Sequence, residues 1–319
     1  MIEGLGIAFD VVGGVGLIAL AVAVVRGRRK AGKLHDRLER LRARVGWLEG
    51  QSLQLRKRAA EADVRVLLAR AGRAPALDVC AMSQYGEDAF LWALLGDRAE
   101  TGGFFIEAGA FDGKQLSVTW LLEAAGWRGL LVEPIPARAE ACRRNRPGSH
   151  VVNAALGAPG GPSQLEFSVV QGPDDGLGML SAVSSVEGRD AEIGEQDGAT
   201  TEQITVSVTT LDAAVAEAID AIGSVERVDA MVLDVEGFEA TALRGFDLGR
   251  WKPRVIIIED NTMGREREAS SIIESAGYTQ AGWIGVNRVY VATDEPELRE
   301  RALAWTTPLG WPRRTVVGM

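Results

Sequence analysis

The sequence is poor in residues on which several chemistries depend. Its 319 residues include two cysteines, Cys80 and Cys142, and two histidines, His35 and His150. So few cysteines exclude a disulfide framework and point to a reducing compartment for the bulk of the chain. Two histidines exclude a His-rich metal site. They leave His150 as the candidate histidine base, because His35 falls in a long helical segment. No basic residue precedes the first apolar run, so a cleaved signal peptide is not indicated. No internal repeat is found.

The apolar run itself, residues 5–25, is broken by one charge, Asp10. At about 1.5 Å per residue it can just cross a hydrocarbon layer of roughly 30 Å. Arg26 to Lys30 follow as "RGRRK", which places the C-terminal side in the cytoplasm by the positive-inside bias. Residues 1–4 are then a short tail, 5–25 a transmembrane anchor and 26–74 a basic helix with its linker. Residues 75–319 form the main domain, bounded by Gly72 and Pro75.

Charge divides along the same line. Residues 26–73 carry a net +10, whereas 74–319 carry −17 within an overall −9. A basic arm beside a membrane favours anionic lipid, and an acidic body disfavours nucleic acid as partner. In the arm, Leu34, Leu38, Leu41, Val45, Leu48, Ser52, Leu55, Ala59, Ala62, Val66 and Ala69 step by alternating fours and threes. That spacing fits a parallel coiled coil, hence a homodimer through residues 34–69. It fits equally a long amphipathic helix lying on the membrane or on its own domain.

From residue 79 onward, helical and strand patterns alternate. Strands are expected at 102–109, 128–134, 149–157, 202–210, 228–237 and 252–260, with a closing hairpin over 279–292. Helices are expected at 83–96, 117–126, 136–145, 211–220, 238–246 and 265–277. Several strands are continuous apolar runs, as in a parallel sheet covered on both faces. Residues 157–203, rich in glycine, proline and acids, are expected to be a long, partly mobile excursion.

In such sheets ligands bind beyond the carboxyl ends of the strands. The first strand ends in "FFIEAGAFDG", residues 104–113, and the second ends in Glu133. Gly109 lets backbone approach a ligand, and an acid ending the second strand suits the two hydroxyls of a ribose. The glycines do not follow the G-x-G-x-x-G spacing of a dinucleotide site at this turn, and acids there would repel a pyrophosphate. S-adenosylmethionine brings a sulfonium, an ammonium and no phosphate, so acids suit it.

The motifs "SQYGEDAFL", "GGFFIEAGAFDG", "GWRGLLVEPIP", "NAALG", "TTLD", "LDVEGFEATALRGFD" and "KPRVIIIED" resemble, in order, those of the FkbM-type methyltransferase family. The resemblance covers residues 83 to about 292. It implies an α/β fold with a Rossmann-like, seven-stranded class I methyltransferase sheet. It also implies S-adenosylmethionine-dependent methylation, usually O-methylation of hydroxyls on small or glycosylated substrates. An envelope-related acceptor such as a sugar or glycolipid would suit the anchor. Carried onto this chain, the cofactor contacts are Glu107, Gly109, Ala110, Asp112, Gly113 and Glu133. Asn153 and its neighbour Ala154 lie on the adenine side. Asp234 and Glu236 are the base candidates, with Glu239 beside them. Glu259, Asn261 and Ser181 are substrate candidates. Asp234 with Asp260 and Asn261 resembles the Mg²⁺ arrangement of catechol-type O-methyltransferases, and helix capping or substrate hydrogen bonding is the competing reading. Some relatives resemble membrane-anchored trafficking proteins, so a non-catalytic scaffold is the alternative function.

Overall fold

In the computed structural model the described residues are 3–98, 102–171, 182–183, 200–223 and 225–307; the side chains of residues 3–34 fall outside the description. Two compact units divide between Leu55 and Arg56. Helix α1, Glu3–Arg70, supplies the first unit and the opening turns of the second. The boundary expected at 74/75 therefore lies earlier. The reason is packing, since Ala60, Val64 and Leu68 are buried in the core of the second unit. Among the described residues no helix is long and apolar enough to cross a membrane. The side chains of the run 5–25, where an anchor is expected, lie outside that set.

The body continues with α2 (Glu87–Leu95), β1 (Phe104–Ala108), α3 (Trp120–Ala124), β2 (Arg128–Val132), α4 (Pro136–Asn145) and β3 (Ser149–Val152). Four short or peripheral strands follow, β4 (Ala155–Leu156), β5 (Gln164–Gln171), β6 (Ala182–Val183) and β7 (Thr200–Thr209). The chain then runs through α5 (Leu211–Ile222), β8 (Ala230–Leu233), α6 (Glu239–Arg244), α7 (Leu248–Trp251) and β9 (Val255–Glu259). It closes with α8 (Glu268–Ser275), the hairpin β10 (Tyr278–Ile284) and β11 (Asn287–Ala292), and α9 (Pro296–Leu303).

Seven strands form one sheet in the order β10-β11-β9-β8-β1-β2-β3. β3, β2, β1, β8 and β9 are mutually parallel, and the hairpin adds two antiparallel strands at one edge. This is the Rossmann-like class I arrangement expected. The central strands "FFIEA" and "AMVL" are buried along their whole length, because hydrophobic layers cover both sheet faces. The chain winds outward through β1, β2 and β3, then returns to β8 on the other side of β1. The order therefore reverses between β1 and β8, and that is where a crevice opens.

Two expectations shift. The third strand does not run through 149–157: it stops at Val152, and Ala155–Leu156 joins a second sheet of order β4-β7-β5-β6. Residues 164–171, read as excursion, are a strand paired antiparallel with β7. Leu165, Phe167 and Val169 alternate with Glu166 and Ser168, and the odd positions pack with Ile135, Val206 and Phe238 in a small apolar cluster. The strand expected at 202–210 thus belongs to this second sheet. Residues 172–181 and 184–199 lie outside the described residues.

Candidate functional site

The crevice at the switch point is lined by residues of β1, β2, β8 and β9, by the turns that follow the first three of these, and by three residues of the second sheet, Ala155, Leu156 and Phe167. Its floor is set by one close approach. Gly109 has φ +84, and a Cβ added there would lie 1.8 Å from the carbonyl oxygen of Asp234. The amide of Asp234 in turn donates to the Ala108 carbonyl at 3.0 Å. Glycine is required here both by conformation and by space. Beyond it, Phe111 (φ 54) and Leu116 (φ 58) hold left-handed backbone, as does Glu236 (φ 57) across the cleft. Three such residues lining one crevice mark a built site, since each costs about 1–3 kcal/mol unless the surroundings hold it.

Glu133 holds the first of them. Its carboxylate accepts from the Phe111 amide at 3.0 Å and from the Ile135 amide at 3.0 Å. It is buried, and burial pushes its carboxyl up to about 7 despite those two bonds and the nearby Arg138. Each oxygen keeps a further lone pair, and the side chain faces the cleft, where ligand hydroxyls could donate. Asn153 donates to the carbonyls of Glu133 and Pro134, both at 2.9 Å, and so fixes the turn after β2. It does not line the crevice, whereas Ala154 does.

Glu107 lines the crevice and also holds the adjoining loop, whereas Asp112 lies outside the lining. Glu107 accepts from Ser117 Oγ (2.8 Å), the Val118 amide (2.7 Å), Thr119 Oγ1 (2.5 Å) and Arg146 (3.5 Å). Its charge therefore organises the loop between β1 and α3. Diverting Ser117 and Thr119 to this carboxylate also explains why the helix expected from residue 117 begins at Trp120. Asp112 caps its own turn, accepting from the amides of Lys114 (2.8 Å) and Gln115 (2.7 Å), and does not line the crevice. Gly113 packs on Cys142 and Arg146 beneath the loop. Gly109 and Ala110 do line the crevice.

Arg146, wholly buried, ties these parts together. It donates to Glu123 (2.7 Å), the Gly113 carbonyl (3.0 Å), Ser117 (3.0 Å) and Thr119 (2.9 Å). One guanidinium thus joins the end of α4 to the whole loop.

Across the cleft, Asp234, Glu236 and Glu259 bring carboxylate oxygens within 4.8 Å of one another. Asp234 is solvent-exposed where it opens onto the cleft, so the protein around it desolvates its carboxyl only in part. That desolvation first, and then repulsion from Glu259 and Glu236, raises its carboxyl well above the ordinary range. Glu239 reaches back to the amides of Val235 (3.3 Å) and Gly237 (3.2 Å), and burial raises it to about 7.

The trio expected for Mg²⁺ is not assembled. Asp260 turns into its own loop, accepting from Thr262 and Gly264 and pairing with buried Arg288. Asn261 is exposed and outside the crevice. Among the described residues, the oxygens placed to meet one hard cation are those of Asp234, Glu236 and Glu259. Ser181 lies outside the described residues. His150 pairs with Glu217 at 2.9 Å on the flank of the sheet and takes no part in the crevice.

Among the lining residues that escaped the sequence reading are Gln84, Glu87 and Asn287. Glu87 accepts from Asn287 (2.7 Å) and from the Tyr85 amide (2.9 Å), although 200 residues separate the first pair. In the same "SQYGED" motif, Asp88 accepts from the amides of Met82 and Ser83 and from Ser83 Oγ. The motif therefore docks the entry to α2 against the crevice. Its two adjacent acids were the available signal.

A crevice at the reversal point of a parallel sheet, with an acid ending β2 and acids gathered after β8, fits a small-molecule site more readily than a polymer groove. Residues 107–279, a little over half of the chain, match the model of the Methyltransferase FkbM domain, and the chain belongs to that family of methyltransferases. No curated protein matches the chain. Similar solved structures include a TehB-like SAM-dependent methyltransferase from Corynebacterium glutamicum, at 15% identity and TM-score 0.33, over 72% of this chain and 95% of that one. Another is the precorrin-6y C5,15-methyltransferase from Geobacter metallireducens, at 13% and 0.33, over 65% and 87%. A third is an O-methyltransferase from Bacillus cereus in complex with SAH, at 15% and 0.29, over 73% and 89%.

Proposed function

We propose that the chain transfers a methyl group from S-adenosylmethionine to a hydroxyl oxygen, on a sugar, a glycolipid or another small envelope-related acceptor. The observation that carries this reading is the charge of the crevice. Among the described residues the lining holds Glu133 after β2, Glu107, Asp234, Glu236 and Glu87, against the single basic residue Arg138. A cationic guest without phosphate suits such a lining, and a pyrophosphate does not. Glu133 would accept from the ribose, and Gly109 and Ala110 would let the cofactor lie against backbone.

The cofactor, when bound, supplies an electrophilic methyl carbon. An acceptor hydroxyl held against that carbon would have to give up its proton, and Asp234, which lines the cleft, would be placed to take it. Desolvation and the neighbouring carboxylates raise its carboxyl, which makes it a stronger base than an ordinary aspartate. Glu236 and Glu259 sustain that basicity by repulsion.

The same reading places the run 5–25 in a membrane, with the basic segment 26–73 at its cytoplasmic face, where the cofactor is made and lipid-linked acceptors are in reach. A non-catalytic scaffold would also keep Glu107 and Asp112, because both hold the loop together. It has no structural need for Asp234, Glu236 and Glu259 to crowd one another. Titration calorimetry of the full chain with S-adenosylmethionine, S-adenosylhomocysteine and NADH tests the proposal. Binding of the first two but not the third is expected. Asp234→Asn should keep cofactor binding and lose transfer of labelled methyl groups to a membrane extract. Absence of cofactor binding at millimolar ligand would remove the reading.

A further inference from the structure

The long helix α1 carries an apolar stripe that nothing in its own unit covers. Leu38 is 46% exposed, Leu41 53%, Val45 51%, Leu48 52% and Leu55 66%. These side chains follow the 3-4 spacing of a two-stranded seam, with Leu38 and Val45 on one row and Leu41, Leu48 and Leu55 on the other. In the second unit the body takes a different face of the helix. Ala60, Val64 and Leu68 are buried there, while Val66, on the continuation of the seam, stays 47% exposed. The seam and the face that packs within the second unit are therefore different faces of the helix.

We propose that a second copy of this chain covers the stripe as a parallel two-stranded coiled coil. A β-branched residue and leucine on the first row, with leucine throughout the second, favour two strands over three. The flanking charges choose the direction. In a parallel pair, Arg44 of each copy faces the partner's Glu49, which gives two attractive contacts. Arg37 would meet the partner's Arg42, but Arg42 is already held by Glu39 of its own chain at 2.6 Å. An antiparallel pair instead sets the row of Arg37 and Arg44 against the same row of its partner. Like charges directly opposed make that arrangement unfavourable. The parallel pair also points both N-terminal runs the same way. The inference does not depend on the proposed methyl transfer.

Light scattering and sedimentation of the full chain in detergent, with the detergent mass subtracted, test it. The wild type is expected at twice the chain mass. Leu41→Lys with Leu48→Lys should give the single mass with the helical circular dichroism signal retained. Arg44→Glu alone should raise the dimer dissociation constant at least about tenfold by setting Glu against Glu. The double reversal Arg44→Glu with Glu49→Arg should restore it, because only a parallel pairing exchanges those two positions. A monomer or trimer for the wild type, a dimer indifferent to the paired lysines, or failure of the double reversal to recover affinity would overturn the proposal.

Discussion

Gly109 and Asp234 meet so closely that the carbonyl of the second occupies the space a methyl group on the first would need. The two residues follow strands on either side of the point where the sheet reverses, and their contact sets the depth of the crevice there. Gly109→Ala combines left-handed strain, roughly 1–2 kcal/mol, with overpacking of about 1–3 kcal/mol. The expected loss is about 2–5 kcal/mol in urea unfolding, with cofactor binding abolished. Gly237→Ala is the control. That residue has φ +94 but no atom within 4 Å of an added Cβ, so the strain alone should be seen.

Arg146 is the second place where one side chain decides the site. Arg146→Met leaves Glu107 and Glu123 buried without their cation, and breaking such a pair costs about 3–5 kcal/mol. Arg146→Lys should rescue little, because an ammonium cannot serve partners spread over the loop as the guanidinium fork does. Adding Glu123→Gln to Arg146→Met should recover part of the loss. Urea midpoints for the three variants and the wild type check this, and no recovery in the double variant would argue against a shared charge network.

The pH dependence of stability follows from the buried acids. Glu239 titrates at about 7 in the fold, against an ordinary value of 4.5. Its folded form therefore holds a proton that the unfolded chain has lost. Its favourable contribution is complete below about pH 4.5 and declines as pH rises through about 7, by roughly 3 kcal/mol. Glu239→Gln keeps the oxygen that accepts from Val235 and Gly237. The variant should match wild type near pH 4 and be more stable by up to about 3 kcal/mol near pH 8. Parallel urea curves across that range would contradict it.

Much of this architecture was legible in the chain itself. The apolar runs before Glu107, Glu133, Asp234 and Glu259 announced buried parallel strands, because side chains covered on both faces leave no alternation to read. β5 was missed although Leu165, Phe167 and Val169 alternate, since glycines and prolines on either side outweighed a pattern of three. The roles of Glu107 and Asp260 were not legible. Each is held by its neighbouring loop together with an arginine farther along the chain, Arg146 or Arg288, which the fold alone brings near. The same holds for Glu87 and Asn287, partners no spacing rule connects. Local sequence announced where carboxylates would gather, and long-range pairing determined which of them face a ligand.

The Phe111 amide and any guest reaching the end of β2 draw on one carboxylate, that of Glu133. Occupancy and backbone order are thereby thermodynamically linked: whatever firms up Glu133 also firms up the amide it holds, and loosening that amide must weaken the guest by the same factor. Deuterium uptake at a single backbone position becomes a gauge of how full the enzyme is, readable before anyone knows which molecule receives the methyl group.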